Sequence, residues 1–409
     1  MGKTFYNRLK YFCLFFFLIT IHFLPQSKYV ILISLDGARW DYINRGVTPT
    51  LDSIIKNGVK ALSLQPSFPS KTFPNHYSII TGMYPQNHGI ISNTIFNPNS
   101  KKTYRLGDTI EVRNSEWYLG EAFWETAKRN GIKTASHFWP GSDINLEYRR
   151  PDIFVKYLHN MPYLERIERA ISWLKLPYDE RPRFITLYFD LPDTYGHKYG
   201  PNSPQVDSSM FYCDKIIGMF LHKIRQLDIK DSVDIIILSD HGMTDVSENK
   251  IINVSKILKD YKIKYLDEGP IMFVEPTNPN EIMNVYLTLK KNEKNYKVYL
   301  KNEVPEYYKF SSHPFIWNII LVADIGYSLL TDESIESMKK YFSKGNHGYD
   351  HNHLDMHGIF LAIGPSFKKN YKTGSLYNID IYPLLCKLFN ISPRSNIDGK
   401  LERIEFILK

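Results

Sequence analysis

What most limits the fold of this chain is a repeated pattern, a short and wholly apolar run, rich in β-branched and aromatic residues, that closes on a carboxylate. Tyr29–Leu35 leads into Asp36, Phe184–Phe189 into Asp190, and Val233–Leu238 into Ser239-Asp240. A run that is apolar at every position has no face to give to water. It therefore predicts a strand covered by helices on both sides. Helical patterning lies between these runs, over 51–57, 164–174 and 207–226. Strands alternating with helices over such a length predict an α/β fold with a largely parallel central sheet and helices on both faces. No internal repeat, low-complexity linker or shift of composition divides the chain, so residues 28–409 read as one domain. The stretch 93–118, rich in Asn, Lys and Thr, reads as an excursion beside the site.

Residues 1–27 need separate treatment. Lys3, Arg8 and Lys10 precede an apolar run over 11–24, followed by Pro25-Gln26-Ser27. The run falls short of the roughly 20 residues that span a membrane and suits the core of a signal peptide or signal anchor. The expected location is extracytoplasmic: secreted, periplasmic or held at a membrane through the N-terminus. The formal charge of +8 falls to +5 once those three cations are set aside. That remainder is spread along the chain, with no basic run to form a nucleic-acid groove. It still favours encounter with small anions. Cys213 and Cys386 each sit in an amphipathic stretch and read as buried free thiols.

The chemistry-bearing residues gather at the ends of the apolar runs: Asp36 in LDG, Asp193 and His197 in PDTYGH, and Asp240-His241 in SDHG. In open α/β sheets the carboxyl ends of the strands border one crevice, so such residues can converge. Taken singly, each is weak, since an aspartate after a strand is often only a helix cap. Thr72, in PSKTFPNHYSIITG, precedes a helical run at 77–80 and would sit near a helix N-terminus. There it could be a cap, or a hydroxyl held where anions are favoured. Such a hydroxyl becomes a useful nucleophile only when a base or metal takes its proton. A further histidine, His347, lies in a Gly-rich loop before the strand-like 359–363.

Together these residues resemble the nucleotide pyrophosphatase/phosphodiesterase family of the alkaline phosphatase superfamily. The likeness is carried by LISLDGARWDY, PSKTFPNHYSIITGMYPQNHGIISN, FWPGSD, LYFDLPDTYGHKYGP, LSDHGM and NHGYDHNHLDMHGIF. It runs from about Val30 to the C-terminus and matches short, catalytic-domain-only forms. The resemblance implies an alkaline-phosphatase-like fold and two Zn²⁺ ions as cofactors. One would be held by Asp193, His197 and His347. The other would be held by Asp36, Asp240 and His241, with Thr72 bridging to it as the nucleophile. Asn93 would help the backbone N–H at Thr72 hold a phosphate oxygen. Mixed His and Asp donors suit zinc, whereas an all-oxygen shell would suit Mg²⁺ or Ca²⁺.

The implied activity is hydrolysis of phosphodiester or pyrophosphate bonds of nucleotides through a phospho-threonine intermediate, releasing nucleoside 5′-monophosphates. Phe73 and Tyr157 match an aromatic pair that sandwiches a nucleobase, and Trp139, Asp143 and Tyr188 match neighbouring positions of the pocket. The alternative is that Phe73 and Tyr157 are core aromatics. A diesterase acting on phospholipids or choline phosphates would share the same metal core. A phosphomonoesterase would need an added cation at the phosphate, and the Thr72 motif offers no arginine. His351, His353 and His357 form a tempting H-x-H-x₃-H pattern that the resemblance does not make a metal site. His76 and His88 read as structural hydrogen-bonders.

Overall fold

The computed structural model describes residues 28–338 and 341–409. The targeting segment expected within residues 1–27 lies outside the described residues. Among those described, no helix is long and apolar enough to cross a membrane.

The main sheet has eight strands: β1 (Tyr29–Leu35), β2 (Val59–Ala61), β3 (Thr134–His137), β4 (Ile153–Val155), β5 (Phe184–Phe189), β6 (Val233–Leu238), β7 (Phe360–Ile363) and β8 (Tyr371–Thr373). Their order across the sheet is β8-β2-β7-β6-β1-β5-β3-β4. β1 lies between β6 and β5, parallel to both, and β7 alone runs antiparallel to both its neighbours. The sheet is the largely parallel one that the apolar runs predicted, and its three central strands are those runs.

The patterning of β1 shows why the sheet is covered twice. Val30 and Leu32 enter one core cluster, with Ile79 and Ile80 of the helix Thr72–Thr81 and with the helix Ile381–Phe389. Ile31, Ile33 and Leu35 enter another, with the helices Pro49–Asn57, Tyr163–Leu174 and Pro204–Ile224. Successive strand side chains point to opposite faces. Each fully buried aliphatic residue contributes about 1.5–3 kcal/mol relative to exposure.

A second, antiparallel sheet of four strands is ordered Ile263–Leu266, Ile271–Pro276, Ile319–Ala323, Tyr296–Leu300. It packs Met272, Val274, Ile319 and Leu321 with Val285 and Leu289 of the helix Ile282–Lys291. Its alternate residues Ile271, Phe273, Ile320 and Val322 join the cluster that holds Val30 and Leu32. The sequence reading did not anticipate this sheet, because its apolar runs carry no mark that separates them from strands of the main one. Cys213 and Cys386 are buried free thiols.

Candidate active site

Parallel register brings the strand ends level. Leu35 pairs with Phe189 on one side, and Ser34 with Leu238 on the other, so Asp36 and Asp240 emerge at the same edge. The turn after β1 is then drawn tight. Gly37 N–H donates to Asp240 Oδ1 (3.1 Å), and Asp193 N–H donates to the Asp36 carbonyl (3.0 Å). Gly37 has φ +66°, and a Cβ there would stand 2.9 Å from the Asp193 Cβ, so this close approach needs glycine.

Asp193 opens the helix Asp193–Tyr199, and His197 lies one turn along the same face. His347 follows the short strand Gly345–Asn346, which pairs antiparallel with Thr244–Asp245 just beyond His241. Two donor groups result, Asp193/His197/His347 and Asp36/Asp240/His241, each with its ligand atoms within 4.8 Å of one another. In the first, His347 Nε2 is 3.1 Å from His197 Nε2 and 3.6 Å from Asp193 Oδ1, while His197 Nε2 is 3.5 Å from Asp193 Oδ1. In the second, His241 Nε2 is 3.0 Å from Asp240 Oδ2 and 3.4 Å from Asp36 Oδ1. The groups adjoin, with the rings of His241 and His347 stacked at 3.5 Å.

The 3.4, 3.5 and 3.6 Å spacings are those of a tetrahedral zinc shell, and the 3.0 and 3.1 Å ones lie just inside it. Tetrahedral bonds of about 2.0–2.2 Å place ligand atoms about 3.3–3.6 Å apart. The histidines are oriented for it as well. Nδ1 of His197, His241 and His347 meets the backbone carbonyls of Gly345 (2.8 Å), Gly242 (2.8 Å) and Ser70 (3.0 Å). A carbonyl only accepts, so each Nδ1 carries a proton and the neutral ring presents its lone pair at Nε2. Asp36 Oδ1, Asp193 Oδ1 and Asp240 Oδ2 are buried without a hydrogen-bond partner. Buried carboxylates with orphan oxygens call for positive charge.

Carboxylates and imidazoles in these groups shift one another strongly, and against burial the Asp240 carboxylate raises His241 above the usual histidine value. Burial, then the Asp240 and Asp193 carboxylates, push Asp36 well above its usual range, against a hydrogen bond from Tyr188. Burial acts on Asp240 likewise, but His241 and His76 overcome it and hold that carboxyl down to about 2. Burial and the imidazoles of His241 and His197 drive His347 well below the usual histidine value.

Thr72 is the first residue of its helix. The cap position is Lys71, which makes no side-chain cap bond. Thr72 Oγ1 instead lies 3.2 Å from His241 Nε2, which places the hydroxyl beside the second donor group. Asn93 Oδ1 accepts the N–H of Phe73 (3.2 Å), which fixes the Asn93 side chain beside the first turn of the Thr72 helix. Lys71 is buried and held by Asp267 at 2.5 Å, and Ser92 donates to the same carboxylate oxygen.

Beside Thr72 opens a cavity of about 460 Å³ lined by Phe73, Phe138, Trp139, Asp143, Tyr157 and Tyr188, among others. Tyr157 is half exposed at its mouth, and Trp139 is buried with its Nε1–H on the His76 carbonyl (3.1 Å). Asp143 faces Arg113 at 3.5 Å, and Arg113 comes from the 93–118 excursion, which forms one wall of the cavity. Tyr188 adds a contact that sequence reasoning did not supply, a 2.6 Å hydrogen bond from its hydroxyl to Asp36 Oδ2.

Of the other histidines, His76, His88 and His357 are held by hydrogen bonds, whereas neither ring nitrogen of buried His137 has a partner. His76 meets Ser34 Oγ (2.8 Å) and the Thr72 carbonyl (2.9 Å), and His88 meets Ser78 Oγ (3.0 Å). His357 meets Ser63 Oγ (2.8 Å) and the His351 carbonyl (3.0 Å). Among the described residues, His351, His353 and His357 do not gather as a metal-holding group.

Comparison with known proteins finds matches over most of the chain. The family model described as type I phosphodiesterase / nucleotide pyrophosphatase matches residues 30–350. Human ectonucleotide pyrophosphatase/phosphodiesterase family member 1 is 36% identical over 394 residues, or 94% of this chain. This chain spans 42% of that relative's length. The structure of human ectonucleotide pyrophosphatase/phosphodiesterase 5 superposes with a TM-score of 0.88 at 34% identity, covering 93% of this chain and 100% of that one. An inactive threonine-to-alanine variant of the murine protein, in complex with AMP, superposes with the same TM-score and coverage at 30% identity.

Proposed function

The chain belongs to the type I phosphodiesterase / nucleotide pyrophosphatase family, and from that premise we propose that it hydrolyses phosphodiester or pyrophosphate bonds of nucleotides, using two zinc ions and Thr72 as nucleophile. The observation that carries the reading is the pair of adjoining donor groups, three of whose carboxylate oxygens are buried without a partner, with the Thr72 hydroxyl beside the second group. AMP in the murine relative's structure supports a nucleotide as substrate. We assign catalysis to residues 28–409 and place the protein outside the cytoplasm, in keeping with the targeting pattern of residues 1–27 and the ecto- names of its relatives.

Asp193, His197 and His347 would hold one ion and Asp36, Asp240 and His241 the other. Zinc, when bound, supplies positive charge that lowers the proton affinity of an adjacent hydroxyl and offsets charge developing on the phosphoryl oxygens. Thr72 Oγ1 forms a bond to phosphorus as the bond to the leaving oxygen breaks, giving a nucleoside 5′-phosphoryl ester of Thr72. Water then attacks the same phosphorus, releases the monophosphate and restores the hydroxyl. Standing at the first residue of its helix, Thr72 brings the substrate anion to the end where backbone N–H groups and the helix dipole favour negative charge. Asn93 braces that first turn through Phe73 N–H. Phe73, Tyr157 and Tyr188 line the adjoining cavity, where base stacking is worth about 1–3 kcal/mol.

The phosphomonoesterase alternative needs a free cation at the phosphate, and the cation adjacent to Thr72, Lys71, is already committed to Asp267. The deciding experiment is a panel of ATP, dinucleotide polyphosphates, nucleotide sugars, p-nitrophenyl-TMP, p-nitrophenyl phosphate, sphingomyelin and lysophosphatidylcholine on zinc-loaded protein. Nucleotide diesters and pyrophosphates should be turned over best. An enzyme that cleaves choline phospholipids readily and nucleotides barely would overturn the substrate assignment while leaving the metal core in place.

A further inference from the structure

We propose that Arg166 is the residue that positions the aromatic walls of the cavity beside Thr72, and so sets how tightly a nucleobase is held. The inference rests on the nucleotide reading above. It begins with an anomaly of patterning. In the helix Tyr163–Leu174 the buried stripe is Tyr163, Arg166, Ile167, Ala170, Ile171 and Leu174, at the spacing of a core-facing helix. An arginine stands where an apolar residue would serve the core, and its exposure is 0%. A buried guanidinium is costly unless its donors are used.

They are used, and on the cavity. Nη1 donates to the Tyr188 carbonyl (2.9 Å), Nε to the Met161 carbonyl (3.2 Å), and Nη2 to the His159 carbonyl (3.3 Å) and to Asp190 Oδ1 (3.2 Å). Its Cζ lies over the ring of Phe138 at 5.0 Å. Phe138 packs edge-on against Tyr157 (5.1 Å), which in turn meets Tyr188 (6.1 Å). One planar fork thus holds the backbone of Tyr188, supports Phe138, and pins the loop two and four residues beyond Tyr157. Tyr157 itself is half exposed, and its ring meets Phe138, Tyr188 and His159, the first of which Arg166 supports through its guanidinium and the other two through their carbonyls. The fixed fork of an arginine can hold several carbonyls at set angles, which a lysine ammonium cannot. Arg166 itself touches neither Thr72 nor a donor of either metal group; its one link to them runs through Tyr188, whose hydroxyl meets Asp36, and turnover of the small diester reads any effect passed along it.

The test is Arg166→Lys in the full chain, with kcat and KM measured on p-nitrophenyl-TMP and on bis-p-nitrophenyl phosphate. The same measurements are made on Tyr157→Ala and on the double variant. Arg166→Lys should raise KM for the nucleotide by about tenfold, within the roughly five- to 150-fold span of a lost stacking contact. The small diester should lose less than about threefold. In the Tyr157→Ala background the added effect of Arg166→Lys should shrink to less than about twofold, since both act on one slot. Equal losses on the two substrates, or fully additive losses, would overturn the inference and leave Arg166 as scaffold. If Arg166→Lys does not fold, Asp190→Asn, which frees the fork from its counter-ion, should show the same split. A wild-type nucleotide KM in that variant would overturn the inference. A wild-type enzyme with no preference for the nucleotide over the small diester would sink the nucleotide reading itself. That failure shows before any substitution is made.

Discussion

The hydroxyl of Tyr188 donates a 2.6 Å hydrogen bond to Oδ2 of Asp36, leaving Oδ1 as the oxygen that faces His241. A tyrosine that lines the cavity therefore also decides which edge of a buried carboxylate is offered to a metal. Tyr188→Phe keeps the ring and removes the donor. It should weaken metal binding about 10- to 100-fold, as loss of partners behind metal ligands does, and change nucleotide KM by far less. Competition with a chromogenic chelator reads the first effect. Unchanged metal affinity would mean the bond is incidental.

Thr72→Ala should lower kcat at least ~10³-fold, in line with the loss of nucleophile-class residues. Thr72→Ser should keep measurable turnover, because it retains the hydroxyl. Both variants should bind metal, since six other donors remain. Quenched reactions analysed by mass spectrometry should find the phosphoryl group on Thr72 in the active forms. Near-wild-type turnover by the alanine variant would end the covalent mechanism.

Chelation should abolish diesterase activity, and added Zn²⁺ should restore it. Thermal stability should fall with it, because Asp36, Asp193 and Asp240 are then left with orphan oxygens. A ligand present at a hundred times its Kd contributes about 2.7 kcal/mol per site. Melting with and without EDTA measures the loss. Full activity in protein shown to be metal-free by elemental analysis would remove the two-zinc reading.

The pH dependence of stability has a source apart from the metal groups. Burial drives His88 down to about 3, and burial with Lys301 drives His313 down to about 4. Nδ1 of each accepts a backbone N–H, from Ile90 and from Phe315, both at 3.2 Å, and a protonated ring could not. The unfolded chain takes up these protons near pH 6.5 and the folded chain does not. Their contribution is therefore complete above pH 6.5, declines as pH falls, and is gone below about 3 and about 4. Within that window each costs about 1.4 kcal/mol per pH unit. His88→Gln should be less stable than wild type at pH 7 yet lose less on acidification to pH 5, as read by urea unfolding in matched buffers. Identical slopes would contradict the assignment.

The apolar runs by themselves determined β1, β5 and β6 to their end residues, because a strand buried on both faces is written locally as an unbroken apolar segment. The same local logic put a helix after Thr72, although the structure carries it from Thr72 itself to Thr81. Residue chemistry named Asp36, Asp193, His197, Asp240, His241 and His347 as candidates; parallel register brings Asp36 and Asp240 level, and the antiparallel pairing of Gly345–Asn346 with Thr244–Asp245 delivers His347. Tertiary structure alone decided how they present themselves. Which oxygen of Asp36 faces inward depends on Tyr188, 152 positions away in the chain. The proton on Nδ1 of His347 is set by the carbonyl of Ser70, 277 positions away. Arg166 left a trace in the sequence, a cation on an apolar stripe, but only folding shows that the carbonyls it holds border the cavity. Periodicity reports which face of an element is buried. It carries no record of what that face meets, because hydrogen-bond partners distant in sequence are chosen by packing.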